Sequence, residues 1–214
     1  MERLGRSKIL FILRGVEPAD VVTIAAEVEA AGFTHLEITS DSPGMPALLR
    51  RVGDAAPRLA LGAGTVLDIE TAERAIEAGA RFLVSPHTDE ALVAAIAARG
   101  VAAIPGAFSP TEILRAHRAG AAAVKLFPAR AAGPDALRDL RGPFPSLRII
   151  PTGGMLLEEI PRWLDAGAFA VGAGRGLLLG PAGGAGGAAA PERVDLAHLR
   201  TTLARLSEIA RAAR

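Results

Sequence analysis

One lysine in this sequence occupies a position where lysine is rarely found. Lys125 lies within the apolar run from Ala123 to Phe127, which is flanked by Gly120 and Pro128 and is typical of a buried strand. Burying an ammonium group is costly, so burial is expected to lower the pKa of this lysine. A neutral amine attacks carbonyl carbons, which makes Lys125 a candidate Schiff-base nucleophile. The alternative is a lysine at a strand end whose ammonium group reaches water.

Other polar side chains lie in or directly after apolar runs. They include a cation, a carboxylate and hydroxyls, namely Arg14, Glu37, Thr65, Ser85 and Thr152. We expect Arg14 and Thr65 to hold the carboxylate of a keto-acid substrate. Lys125 would attack the ketone of that substrate, and Glu37 would move its protons.

Three of these residues also have a structural explanation. Arg14 could pair with a neighbouring helix at the rim of the protein. Glu37 could have a purely structural role, although an inward carboxylate without a partner is costly. Thr65 could cap the helix that begins near Asp68 instead of binding a ligand. The elements that position these side chains decide between the alternatives.

A repeating unit runs through the chain. At several points a helical pattern ends in Ala-Gly or Arg-Gly and a short apolar run follows, with the glycines at Gly32, Gly79, Gly100, Gly120 and Gly167. A glycine just after a helix supplies the left-handed residue that closes its last turn, so each dipeptide marks a helix-to-strand switch. Further apolar runs at 9–13, 59–61 and 147–150 bring the number of expected strands to eight.

Continuous apolar strands that alternate with helices are typical of a parallel sheet with helices on its outer face. About eight such units predict an α/β fold, the (β/α)8 TIM barrel. A doubly wound open sheet is the alternative, but the Rossmann phosphate fingerprint does not follow the first strand. The barrel prediction brings the polar residues at the strand ends to one mouth.

Two glycine turns follow the last two predicted strands. Gly153-Gly154 comes after the seventh strand, and Gly172-Ala173-Gly174 comes after the eighth. Glycines allow backbone amides to approach an anion, so the two turns together predict a phosphate-binding site. Arg175 either strengthens that site through its charge or points outward to pair with an acidic residue.

Composition limits the partners and the location of the protein. Lysine plus arginine number 24 and aspartate plus glutamate 23 in 214 residues, so no basic field favours nucleic acid. No apolar run is long enough to cross a bilayer, and Met1 to Ile9 lacks the apolar core of a signal peptide, so we expect a cytoplasmic protein with no membrane partner. His35, His87 and His117 are not spaced as a ligand set, which predicts no metal site. The expected partner is a small-molecule substrate.

The chain is expected to form one barrel domain over residues 1–214. Glycine and alanine dominate residues 180–190, which predicts a low-complexity loop. An amphipathic pattern then predicts a C-terminal helix over about residues 194–213.

Several motifs resemble those of a known family. They are Gly62-Ala63-Gly64-Thr65-Val66, Val124-Lys125-Leu126-Phe127-Pro128, Pro151-Thr152-Gly153-Gly154 and Leu36-Glu37-Ile38-Thr39. They are similar to the motifs of the 2-keto-3-deoxy-6-phosphogluconate/4-hydroxy-2-oxoglutarate aldolase family. The segments Ile12-Leu13-Arg14-Gly15, Asp41-Ser42-Pro43 and Gly133-Pro134 are most similar to its phosphogalactonate branch.

The resemblance implies a class I aldolase on a (β/α)8 barrel that is usually a homotrimer and needs no metal or other cofactor. It implies Lys125 as the imine-forming lysine, Glu37 as the acid/base and Thr65 as a substrate ligand. Arg14 would bind the substrate carboxylate. Pro86 is expected beside Arg14 and Thr65, near the carboxylate and carbonyl of the substrate. It also places Gly153, Gly154 and Gly174 around the phosphate. Arg175 stands where the family is expected to have a serine, so its phosphate-binding role is predicted from its charge and its place after Gly174.

We therefore expect a lyase that reversibly splits a 2-keto-3-deoxy-6-phospho sugar acid into pyruvate and glyceraldehyde 3-phosphate. A 4-hydroxy-2-oxoglutarate-type or unphosphorylated keto-acid aldolase is an alternative. A sugar-phosphate isomerase on the same barrel would be favoured if Lys125 lay on the outer face of the sheet. A sugar-acid-phosphate sensor without turnover is the non-enzymatic alternative. The preference between the gluconate and galactonate epimers stays open.

Overall fold

Short strands alternate with helices along the chain. A computed structural model describes residues 1–179 and 194–213, so the loop predicted over 180–190 lies outside the described residues. The strands are β1 (Ile9–Leu13), β2 (His35–Thr39), β3 (Ala60–Gly64), β4 (Phe82–Val84), β5 (Ala102–Ile104), β6 (Gly106–Ala107), β7 (Val124–Leu126), β8 (Ile149–Pro151) and β9 (Val171–Ala173). The α-helices are α1 (Glu2–Ser7), α2 (Pro18–Ala30), α3 (Met45–Ala55), α4 (Ile69–Glu77), α5 (Glu90–Ala98), α6 (Pro110–Arg118), α7 (Ala129–Arg141), α8 (Ile160–Asp165), α9 (Arg175–Leu179) and α10 (Leu196–Ala212).

The strands pair in parallel. One sheet has the order β5-β4-β3-β2-β1-β9, and a second has the order β6-β7-β8. β5 and β6 are separated by Pro105, which has no N–H to donate but whose carbonyl accepts the N–H of Lys125 at 2.9 Å. A parallel bridge between Thr152 and Gly172 links the end of β8 to β9. The result is a curled parallel sheet with helices packed on it, consistent with a TIM-like barrel.

The helix ends follow the sequence prediction closely. The glycines expected to end helices, Gly32, Gly79, Gly100, Gly120 and Gly167, have φ values between +70° and +102°. α10 begins and ends within the range predicted for the C-terminal helix. No helix in the described ranges is both long and apolar enough to span a membrane.

Two apolar clusters lie on opposite faces of the strands. Successive side chains of a strand point to opposite faces, and on β1 Phe11 belongs to the cluster that the helices cover, whereas Leu10 belongs to the second cluster. The second cluster is built from Leu4, Leu10, Phe82, Val84, Ile104, Ala123, Ile150 and Ala170. We interpret it as the inner face of the curled sheet, closed at one end by Leu4 of α1. Lys125 alternates with Val124 and Leu126 of the helix-covered cluster, so it lies on the inner face, against the isomerase alternative.

The start of the last strand differs from the prediction. Gly172 and Ala173 were expected in a turn after the eighth strand, but both belong to β9. The strand begins later than its apolar run because Val171 N–H donates to the carbonyl of Lys8 at 2.8 Å and starts the pairing with β1. The turn therefore begins at Gly174.

Candidate active site

Glu37 and Lys125 are two titratable residues buried on the inner face of the sheet. Glu37 is 1% exposed on β2 and Lys125 is 8% exposed on β7. Among the described residues, neither carboxylate oxygen of Glu37 has a hydrogen-bond partner. Burial raises the pKa of Glu37, and the charges of Lys125 and Arg14 oppose that rise in part. Burial lowers the pKa of Lys125, against the opposing charge of Glu37. The site thus favours a neutral amine beside a carboxyl group that accepts a proton readily.

Glycines in β3 make room for the Glu37 side chain. A Cβ at Gly64 would lie 1.5 Å from Oε1 of Glu37, so no larger residue fits there while the carboxylate keeps its position. Gly62 pairs with Glu37 in the sheet, and a Cβ at Gly62 would lie 2.3 Å from Cε2 of Phe82. The two glycines therefore admit an acid and an aromatic ring to the same inner face.

Arg14 connects the ends of three adjacent strands. Its guanidinium donates to the carboxylate of Asp41, in the loop after β2, and to the hydroxyl of Thr65 after β3. The side chains of Arg14 and Asp41 are each 49% exposed, so the ion pair lies at an open mouth and adds only about 0–1 kcal/mol to stability. The helix-pairing alternative for Arg14 is wrong, because its partners lie in loops. A guanidinium has five N–H donors, so Arg14 keeps donors for a ligand beyond those that bind Asp41 and Thr65.

Thr65 does not cap the helix that follows it. The N-cap of α4 is Asp68, whose carboxylate accepts the N–H of Thr71 at 2.7 Å. Thr65 has a φ of +56°, in the left-handed region where threonine is uncommon. Its hydroxyl faces Arg14, so the capping alternative is wrong and the side chain is available at the mouth.

Pro86 lies beside the strand next to Lys125. A Cβ at Gly106 would lie 2.3 Å from the carbonyl carbon of Pro86, and Gly106 pairs with Lys125 between β6 and β7. The hydroxyl of Ser85 donates to the carbonyl of His87 at 2.7 Å, which holds this turn in shape. His87 itself is exposed.

Phe127 links the lysine to the first glycine turn. Its ring centroid lies 5.1 Å from Nζ of Lys125. A Cβ at Gly153 would lie 3.1 Å from Cε2 of the same ring. Gly153 and Gly154 have φ values of +104° and +71°, a conformation that L side chains rarely adopt. Phe127 was not predicted as a site residue. Its place two residues after Lys125 is the signal that could have identified it, because residues two apart in an extended chain lie on the same face.

The second glycine turn lies beside the first and beside β1. The bridge between Thr152 and Gly172 brings β8 and β9 together just before both turns. Gly174 follows β9 and Arg175 begins α9. A Cβ at Gly15 would lie 3.2 Å from Nη1 of Arg175, and Nε and Nη2 of Arg175 are buried. This guanidinium therefore packs against the loop that carries Arg14.

No metal centre is evident in the described part of the chain. Within residues 1–179 and 194–213, no three His, Cys, Asp or Glu side chains are grouped so that they could hold a metal ion. His35 lies two residues before Glu37, and its Nδ1 is 2.8 Å from the hydroxyl of Thr34. Burial lowers the pKa of His35 to about 4. That an activity needs no metal or cofactor stays a prediction.

Comparison with known proteins identifies relatives across most of the chain. Residues 1–183 match the family model of KDPG and KHG aldolases. The 2-dehydro-3-deoxy-phosphogluconate aldolase of Pseudomonas aeruginosa is 41% identical over 160 residues, which are 74% of this chain and 72% of that protein. The 2-dehydro-3-deoxy-6-phosphogalactonate aldolase of Escherichia coli is 33% identical over 174 residues, 79% of this chain and 83% of that protein.

A solved structure extends the likeness to the fold. The KDPG aldolase of Legionella pneumophila, captured with pyruvate as a covalent carbinolamine intermediate, is 25% identical and superposes with a TM-score of 0.76. The superposition covers 99% of this chain and 96% of that chain. Both the sequence match and the fold therefore agree, and the chain belongs to the KDPG and KHG aldolase family.

Proposed function

We propose that this protein reversibly cleaves a 2-keto-3-deoxy-6-phospho sugar acid to pyruvate and glyceraldehyde 3-phosphate, with Lys125 as its nucleophile. Membership of the family makes it a class I aldolase, a carbon–carbon lyase that releases pyruvate and an aldehyde. The observation that supports the assignment to Lys125 is its burial on the inner face beside Glu37, with a lowered pKa. A carbinolamine with pyruvate is the intermediate captured in the Legionella relative.

Lys125 begins the reaction as a neutral amine. Its Nζ attacks the ketone carbon, the carbonyl oxygen takes a proton, and loss of water leaves a protonated imine. Arg14 and Thr65 bind the carboxylate next to that carbon, and the Pro86 turn lines the other side. The imine nitrogen withdraws electrons from the neighbouring carbon–carbon bond, which prepares it for cleavage.

Glu37 moves the protons of the cleavage step. Directly or through a water, it takes the proton of the hydroxyl on C4, the C3–C4 bond breaks, and the aldehyde leaves. The bond electrons form an enamine on Lys125. Glu37 returns a proton to C3 of the enamine, and hydrolysis of the imine releases pyruvate and restores the amine. Burial raises the pKa of Glu37, which suits a group that must both accept and donate a proton during the reaction.

The glycine turns would hold the substrate's phosphate. Backbone amides at Gly153, Gly154 and Gly174 can approach an anion because no Cβ blocks them. Arg175 would add charge from the start of α9. The Phe127 ring between Lys125 and Gly153 supports a substrate that spans both parts of the site.

We also propose that the curled sheet closes into a complete eight-stranded barrel forming one domain over residues 1–214. Backbone hydrogen bonds near both gaps in the sheet support this: Ala122 N–H to the carbonyl of Ala103, and Phe169 N–H to the carbonyl of Ile149, each at 2.9 Å. A homotrimer remains an expectation from the family resemblance, and a cytoplasmic location remains an expectation from the apolar pattern of the sequence. Light scattering of the purified protein measures the oligomeric state.

Trapping with borohydride tests the proposed nucleophile. Incubation with pyruvate and borohydride should reduce the imine to a stable adduct that mass spectrometry locates on Lys125. Lys8 is the other lysine of the chain, so Lys8→Arg is a matched control that should keep the adduct, whereas Lys125→Arg should lose it. An adduct on Lys8, or none, would refute the assignment.

Further assays separate the alternatives. A trapped adduct without cleavage of any substrate would point to a sensor, and retained cleavage in EDTA is expected of a class I enzyme. Parallel assays of both C4 epimers, with and without the phosphate, would identify the substrate.

A further inference from the structure

Arg130 lies directly against the Gly153-Gly154 turn. It is the second residue of α7, and its main-chain N–H donates to the carbonyl of Gly153 at 3.1 Å. A Cβ at Gly154 would lie 3.1 Å from both Cδ and Nε of Arg130. The arginine side chain therefore covers the side of the turn where another residue would place its own side chain.

Nearby acidic groups do not neutralise this arginine. Across residues 1–179 and 194–213, the exposed guanidinium of Arg130 has no hydrogen bond or ion pair. The two acids that follow the turn are engaged elsewhere. Oε2 of Glu159 accepts the N–H of Leu156 at 2.8 Å, and Oε1 of Glu158 lies 3.7 Å from Nη1 of Arg205.

The other arginines of α7 are paired. Arg138 forms an ion pair with Asp135 at 2.5 Å, and Nη1 of Arg141 donates to the carbonyl of Leu147 at 2.7 Å. Arg130 is thus the arginine of this helix whose charge is left available, and it is the one beside the glycine turn.

We propose that Arg130 is a ligand of the substrate's phosphate, reaching the anion across Gly154. The inference rests on the proposed function and adds a residue to its phosphate site. A guanidinium presents paired N–H donors that match phosphate oxygens, and its stem already lies on the turn whose amides would bind the same anion. Arg130 comes from α7 and Arg175 from α9, so two helices would each supply one cation to the site.

The variant Arg130→Gln tests this assignment, because it keeps most of the stem over Gly154 and removes the charge. We expect the preference for the phosphorylated over the unphosphorylated substrate, measured as a ratio of kcat/KM, to fall roughly tenfold. The inhibition constant of inorganic phosphate should rise by a similar factor. Arg138→Gln makes the same change on the same helix at a paired arginine, and it should alter neither quantity.

The outcomes separate this inference from the proposed function. Pyruvate has no phosphate, so borohydride trapping on Lys125 should proceed in the Arg130 variant as in the wild type. Normal trapping with unchanged phosphate inhibition would overturn the role of Arg130 alone, and so would equal losses on both substrates. No trapping in the wild-type enzyme would overturn the proposed function. If Arg130→Gln fails to fold, Arg130→Met also keeps an unbranched stem without the charge, and an unchanged phosphate preference there would count against the proposal.

Discussion

Replacing Gly64 with alanine is expected to displace Glu37 while leaving Lys125 in place. The new Cβ would lie 1.5 Å from Oε1 and 2.3 Å from Cδ of Glu37, whereas ordinary contacts begin near 3.4 Å. The carboxylate would have to move by about 2 Å to restore normal contact. Gly64 does not have a positive φ, so the backbone itself accepts alanine.

The size of the effect follows from this displacement. Misplacing a reacting group by about 1 Å can cost roughly 10²-fold in rate, and general acid–base catalysis contributes roughly 10²–10⁴-fold. We therefore expect kcat to fall by roughly 10²–10⁴-fold in Gly64→Ala. Overpacking costs about 1–3 kcal/mol, less than the 5–15 kcal/mol typical of a folded domain, so the variant should remain folded.

Three measurements on the Gly64 variant test the reasoning. Pyruvate release reports kcat, borohydride trapping reports Lys125, and chemical denaturation reports stability. Gly53→Ala in α3 is the matched control, because its Cβ would lie 3.8 Å from Cδ1 of Leu61 and alanine favours a helix by about 0.5–1 kcal/mol. It should keep full turnover. A folded Gly64→Ala enzyme with wild-type kcat would refute the argument.

Further predictions concern one catalytic and two stabilising residues. Glu37→Gln should lower turnover by roughly 10²–10⁴-fold and slow deuterium exchange at the pyruvate methyl group, and unchanged exchange would remove Glu37 from its role. The pKa of His35 is about 4 against an ordinary 6.5, so the unfolded chain binds more protons between these values. Stability should therefore fall by up to about 3 kcal/mol as pH is lowered across this range, and His35→Gln should flatten that slope in urea titrations. Ser109→Ala should cost about 1 kcal/mol in the same titrations, because Ser109 and Glu112 form the capping box of α6; an unchanged midpoint would contradict this.

The strands were predictable because their signals are local. Helix-ending glycines and apolar runs can both be recognised in a few neighbouring residues, and β1 and β4 have the predicted bounds. β3 extends beyond its apolar run to Gly64, since glycine carries no apolar signal. The interruption at Pro105 and the late start of β9 depend on pairing with distant strands, which no local pattern contains.

In the candidate site, too, some features follow from local sequence signals and others depend on contacts between distant residues. A charged residue inside an apolar run stands out in the sequence, which is why Glu37 and Lys125 were predicted. The pairing of Arg14 with Asp41, the space left by Gly64 and the position of Arg130 are contacts between residues far apart in the chain. Such contacts exist only once the strands are in register, so they had to come from the structure.

The apolar cluster on the inner face also limits the routes by which protons reach Glu37. Its members include Ala123, which directly precedes the strand that carries Lys125, and α1 adds Leu4. Hydrocarbon cannot relay protons, so Glu37 exchanges them with bulk water through the mouth. Deuterium that Glu37 delivers from heavy water to the methyl group of bound pyruvate therefore enters through the mouth, the same opening that admits the substrate.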